Sequence, residues 1–202
     1  MKIIIDGENF RHQLAFVLLK NGKINDKIEY FKFDVRGFFE EVLEENALDI
    51  FYFTTRIKQP NFKIPLKLQK TINYIRESNR RWSADLTNNS ISVIKAGHMR
   101  VRESSACIHC GKKTLVLQEK GVDVRVATEL VMSEKLKSKD PVILVSSDSD
   151  LTPALDIVKN QNNKKIIYLC YSGSLNRSIS AQTYKTITFD DKTILKYYKG
   201  IK

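Results

Sequence analysis

The chain has 202 residues, 34 of them Lys or Arg against 23 Asp or Glu, giving a formal net charge of +11, with 42% hydrophobic residues and only eight Gly and four Pro. That length suits one α/β domain with a full core and is short for two, and the balanced composition excludes a disordered, collagenous or low-complexity chain. No apolar run approaches the twenty or so residues that cross a bilayer, the three isoleucines before Asp6 are too few for a secretory signal, and an odd count of three cysteines argues against a disulfide framework, so a cytoplasmic protein with no membrane partner is expected.

In chain order, "KIII" (2–5) is a β-branched apolar run and reads as a buried strand. "VRGFFEEVLEEN" (35–46) places Val35, Phe38, Phe39, Val42 and Leu43 at helical spacing under an acidic outer face. "LDIFYFTT" (48–55) is a second strand; Pro60 breaks the chain, and Pro65 suits the first turn of a helix reaching about residue 82. "ISVIKA" (91–96) is a third strand and "TLVLQ" (114–118) a further extended piece. "VDVRVATELVMSEKL" (122–136) is amphipathic through Val124, Ala127, Leu130 and Val131. "PVILVSS" (141–147) is a strand, "LTPALDIVKNQ" (151–161) a helix, "KKIIYLC" (164–170) a strand, "SLNRSISAQ" (174–182) a short helix and "KTITF" (185–189) a strand; a last helix follows Asp190. Strands that alternate with helices, and that are apolar without alternation, imply a mostly parallel central sheet with helices on both faces. One domain over 1–202 is expected, with an irregular insertion around 97–121 lying over one sheet edge.

Ligands of open parallel sheets bind beyond the carboxyl ends of the strands. Asp6 directly follows "KIII", Asp148 and Asp150 follow "PVILVSS", and Asp123 opens a helix whose N-terminus belongs on the same edge. Each alone reads as a cap or turn residue. Together on one rim they would repel one another, and a bound divalent cation resolves that: Mg²⁺ or Mn²⁺ takes hard oxygen ligands. Asn9, three residues past Asp6, adds a neutral oxygen or an amide that can orient a ligand.

"IIIDGENF", "EKGVDVRVATELV" and "VILVSSDSDLTPAL" resemble, in order and spacing, the three signature blocks of NYN domains of the LabA-like kind, relatives of the PIN-domain nucleases. The resemblance spans nearly the whole chain. It implies a PIN-like Rossmannoid fold and a metal-dependent ribonuclease site, with the acidic set falling on Asp6, Asp123, Asp148 and Asp150 and with Asn9 beside it. Phosphodiester hydrolysis by Asp-held Mg²⁺ or Mn²⁺ is therefore the expected activity, and single-stranded RNA the expected substrate. Asp6 and Asp148 are the leading ligands, while His12, His98 and His109 show no catalytic spacing.

The positive charge is clustered: residues 56–81 hold eight basic residues and one acid, Glu77, which favours a polyanionic partner. On a helix starting near Pro65, Leu68, Ile72 and Ile75 form a core stripe, while Lys67, Lys70, Tyr74 and Arg81 share a narrow wedge on the far side. Basic side chains flanking an aromatic suit backbone contacts beside a stacked base, although solvated lysines on an outer face are the ordinary pattern. "CIHCGKK" has the C-x-x-C-G turn of a zinc knuckle. Cys107 and Cys110 supply half a structural zinc site, His98 is a candidate third ligand, and a second subunit of a homodimer is another way to complete it; a reduced pair or labile disulfide is the alternative. Cys170 sits in a predicted strand and reads as core. The main rival to a nuclease is a non-catalytic RNA-binding or regulatory module on the same fold. A dehalogenase-like phosphatase would want Asp where Glu8 stands, and a receiver domain would want an Asp after its third strand, which neither "ISVIKAGH" nor "FYFTTR" provides.

Overall fold

The computed structural model describes residues 1–26, 32–58, 60–133, 140–161 and 164–200. The chain begins with β1 (Lys2–Asp6), whose isoleucines alternate between the two faces of the sheet: Ile3 and Ile5 enter one core cluster and Ile4 the other. Asp6 caps α1 (Gly7–Lys20), accepting from Asn9 N–H. This helix was not among the expected elements, although Phe10, Leu14, Val17 and Leu18 lie at helical spacing and are buried. Next come α2 (Val35–Leu43), which ends with Glu44 in the left-handed region, and β2 (Asp49–Ile57). Then α3 (Leu66–Asn88) runs six residues past its expected end, because Leu86 continues the stripe of Ile72 and Trp82.

The 97–121 segment differs most from expectation. Instead of lying over a sheet edge, it makes the edge: β3 (Ser92–Glu103) continues into an antiparallel hairpin with β4 (Leu115–Lys120). Thereafter come α4 (Val122–Ser133), β5 (Val142–Val145), a 3₁₀ turn (Ser149–Leu151), α5 (Thr152–Gln161), β6 (Ile166–Tyr171), α6 (Arg177–Gln182), β7 (Lys185–Phe189) and α7 (Asp191–Tyr197). The buried stripe of α4 is Val122, Val126 and Leu130; Val124, expected inside, is exposed. The expected continuation of α4 to residue 136 lies outside the described residues.

Among the described residues, seven strands form a single sheet in the order β4-β3-β2-β1-β5-β6-β7, parallel except for β4. One face is covered by α1, α2, α3 and α7 around Phe10, Phe38, Phe39 and Trp82, the other by α4, α5 and α6 around Val126, Leu155 and Ile179. Cys170 is buried in β6, as expected. From β1 the chain winds outward through β2 and β3, then restarts at β5 and winds the other way. The switch point therefore lies between β1 and β5, the crevice where open α/β sheets bind ligands. Among the described residues no helix is long and apolar enough to cross a membrane.

Candidate functional site

Asp6 and Asp148 stand at the carboxyl ends of the two strands that flank the switch point. Close approach of the chain fixes the first of them. Gly7 lies so near β2 that an added Cβ would sit 2.4 Å from the Phe53 carbonyl oxygen and 2.5 Å from the Tyr52 ring. The Tyr52 hydroxyl donates to Gly7 O at 2.8 Å and holds the turn there. Asp6 is 93% buried; one carboxylate oxygen accepts from Asn9 N–H at 3.2 Å and the other from the Ser146 hydroxyl at 3.0 Å. Ser146 also accepts from Asp148 N–H at 3.2 Å, so a single hydroxyl ties the two acidic segments together. Asp148 caps the 3₁₀ turn, accepting from Asp150 N–H at 3.0 Å.

These two acids line a cleft of about 580 Å³ together with Glu8, Asn9, His12, Glu119, Lys120, Asp123 and the first residues of α4. Five carboxylates thus come from three stretches of chain: Asp6 and Glu8, Glu119 and Asp123, and Asp148. Burial raises the Asp6 carboxyl above its usual range, with the charges of Asp148 and Glu8 pushing the same way against its two hydrogen bonds. Burial and then the neighbouring Glu8, Asp6 and Asp123 push Glu119 up to about 8, while Arg11 pulls the other way. Arg11 is itself ion-paired with Glu8.

Asn9 points its oxygen inward. It accepts from Gln13 Nε2 at 2.7 Å and from Ser147 N–H at 3.1 Å, so its amide N–H₂ is the part left to meet a ligand. Ser147 is pinned further by Tyr168 and by the Asn176 side-chain amide, which donates to Ser147 O at 3.1 Å. These bonds hold the loop that carries Asp148.

Asp6, Asp148, Asp123 and Asn9 thus share one cleft. Asp150 does not line it: exposed, it borders an adjoining, mostly apolar depression of about 450 Å³ between α4 and α5 that Asp123 also borders. Glu119, Glu8 and Ser146 were missed as site residues, and His12, set aside on spacing, reaches the rim. Among the described residues no three His, Cys, Asp or Glu side chains converge at ligand spacing. The donor chemistry nevertheless fits Mg²⁺ or Mn²⁺: five carboxylates line the cleft, and such ions keep several waters and take only one or two carboxylates directly.

On α3, Lys67, Lys70, Tyr74 and Arg81 are exposed, as expected, with Ile72 buried and Leu68 and Ile75 half-buried beneath. Arg81 Nε donates to Glu77 at 2.9 Å. A different basic set gathers near the carboxyl edge of the sheet: Arg56, Arg76, Arg80 and Lys95 line a groove of about 320 Å³ between α3, the end of β2 and the first part of β3. Cys107 and Cys110 are free and exposed in the turn joining β3 and β4. His98 pairs with Lys120 at the opposite end of that hairpin, about 20 Å away at strand rise, so it does not join the cysteines.

The described architecture is shared with a Vibrio parahaemolyticus protein of unknown function, to which the chain is similar with a TM-score of 0.51 and 16% identity over 94% of this chain and 92% of that one. At that identity the likeness shows the fold alone. A comparison with the curated proteins finds no match. The model of the NYN domain matches residues 1–190, nearly the whole chain including every strand of the sheet and every carboxylate of the cleft. The chain belongs to the NYN domain family, a PIN-like nuclease family.

Proposed function

We propose that this NYN domain is a metal-dependent ribonuclease of the LabA-like kind that hydrolyses phosphodiester bonds of single-stranded RNA in the cleft at the β1/β5 switch point. The observation that carries the reading is five carboxylates from three stretches of chain facing one cleft in a protein of net charge +11. Uncompensated, such a cluster opposes folding; a hard cation and a phosphate are the ligands that make sense of it. Asp6 and Asp148 would hold Mg²⁺ or Mn²⁺, with Asp123 and Glu119 on the facing wall acting directly or through water. The ion would offset phosphate charge and lower the pKa of an attacking water. Ser146 keeps the two principal acids in register, and the Asn9 amide, its oxygen engaged, is free to donate to a phosphate oxygen. Lys120 at the rim supplies a cation for the flanking phosphate. The groove of Arg56, Arg76, Arg80 and Lys95, on the same edge of the sheet, would carry the RNA backbone on from the cleft.

Purified protein is expected to cut single-stranded RNA with Mg²⁺ or Mn²⁺, and Asp148→Asn to lower the rate at least about 100-fold, roughly 2.7 kcal/mol of barrier, with its thermal melt preserved. If Asp148→Asn cuts like the parent, the site is misassigned. If the parent binds RNA across a metal series without cutting it, the non-catalytic module is the correct reading.

A further inference from the structure

We propose that the turn joining β3 and β4 is half of a zinc site that a second copy of this chain completes, so that two chains are joined by one tetrathiolate metal centre. The turn is built as a metal knuckle. Cys107 N–H donates to Lys112 O at 2.9 Å and Gly111 N–H to Cys107 O at 2.8 Å, and Gly111 takes the left-handed φ of +67° that closes the turn. The two cysteines, three positions apart in this turn, are unbridged and exposed. That is the arrangement in which a C-x-x-C turn presents two thiolates to one tetrahedral ion.

A structural zinc takes four protein ligands, and this turn offers two. Among the described residues no third Cys, His, Asp or Glu converges on the pair, His109 included, and His98 is a hairpin's length away. Two such turns meeting tip to tip supply the full set. Their charge and surface suit that contact. Zinc with four thiolates carries two negative charges, and each turn brings one exposed Lys112, while Lys113 lies 3.6 Å from Glu103. Ile108 at the tip is 92% exposed and would be covered by its counterpart. The contact leaves the cleft open, because Glu119 and Lys120 line it from the other end of β4. The inference stands apart from the nuclease reading and survives its failure.

The test is a Zn²⁺ titration of the reduced, chelator-treated full chain, with uptake followed by competition against a chromophoric chelator and mass by light scattering. Saturation at one thiol-dependent zinc per two chains, with the monomer mass doubling as it fills, is the expected result. The Cys107→Ser/Cys110→Ser chain, altered only in an exposed turn, should lose both. Co²⁺ in place of zinc should give the charge-transfer absorption of four thiolates. One zinc per chain at constant mass, or uptake no greater than that of the double variant, would overturn the proposal.

Discussion

The carboxyl group of Asp6 serves two ends at once: it caps α1 through Asn9 N–H, and it is held almost out of water beside Asp148 and Glu8. A cap alone would be satisfied on the surface; burial among other acids is the costly part. Glu119 shows the same strain as a number. Its folded value of about 8 lies above its ordinary 4.5, so folding favours the neutral form; the stability tied to that form is full below about 4.5 and is lost as pH rises through about 8. Without added divalent ions, the urea midpoint should fall over that window, and Glu119→Gln should flatten the fall; an unchanged slope would remove Glu119 from the cleft's electrostatics. Asp6 and Asp148 were legible in the sequence because each ends an apolar strand abruptly. Glu119 was not, because only the antiparallel return of β4 along β3 brings it back to the carboxyl edge, and no local pattern encodes a return of that kind. Ser146 was hidden for another reason: a serine at a strand end looks like any other until its hydroxyl is seen bridging two acids.

Among the elements, β1 with the start of α1 is the most constrained, and Gly7 is the reason. The backbone of β2 and the ring of Tyr52 occupy the space a side chain would need. Gly7→Ala is expected to cost about 1–3 kcal/mol, seen as a lower denaturation midpoint, and to displace Asp6; a midpoint within experimental error of the parent would contradict the packing described. The alternation of Ile3, Ile4 and Ile5 between two cores explains why the strand was readable as buried without a two-residue period. α1 carries helical apolar spacing at Phe10, Leu14, Val17 and Leu18, but it starts directly at the capping Asp6 with no linker to separate strand from helix. The β3–β4 hairpin was obscured more deeply. "GHMRVRE" is polar and half-exposed at a sheet edge, so it carries neither the apolar run of a central strand nor a clean alternation. Gly97 marks the place in the structure: an added Cβ would stand 2.5 Å from Lys120 O, where the end of β4 crosses the bulge in β3.

Across the whole molecule, acid is gathered at the switch point while the excess of base lies elsewhere, and the two fields meet along one edge of the sheet. The sequence located the excess within 56–81 but not the groove, which needs Lys95 from β3 and the ends of β2 to close it. Replacing Arg56 and Lys95 together by Ala should lower the salt slope of single-stranded RNA binding by about 1.4, two phosphate contacts' worth; an unchanged slope would move the RNA path off this groove. The central claim is that acids from distant parts of the chain make one cation site. It is tested most directly by titrating Mn²⁺ into the protein, reading the free ion by electron paramagnetic resonance, for the parent, Asp6→Asn and Asp148→Asn. The account predicts that each substitution weakens binding at the same site by about tenfold or more, at least about 1.4 kcal/mol; equal affinity in all three proteins would contradict it.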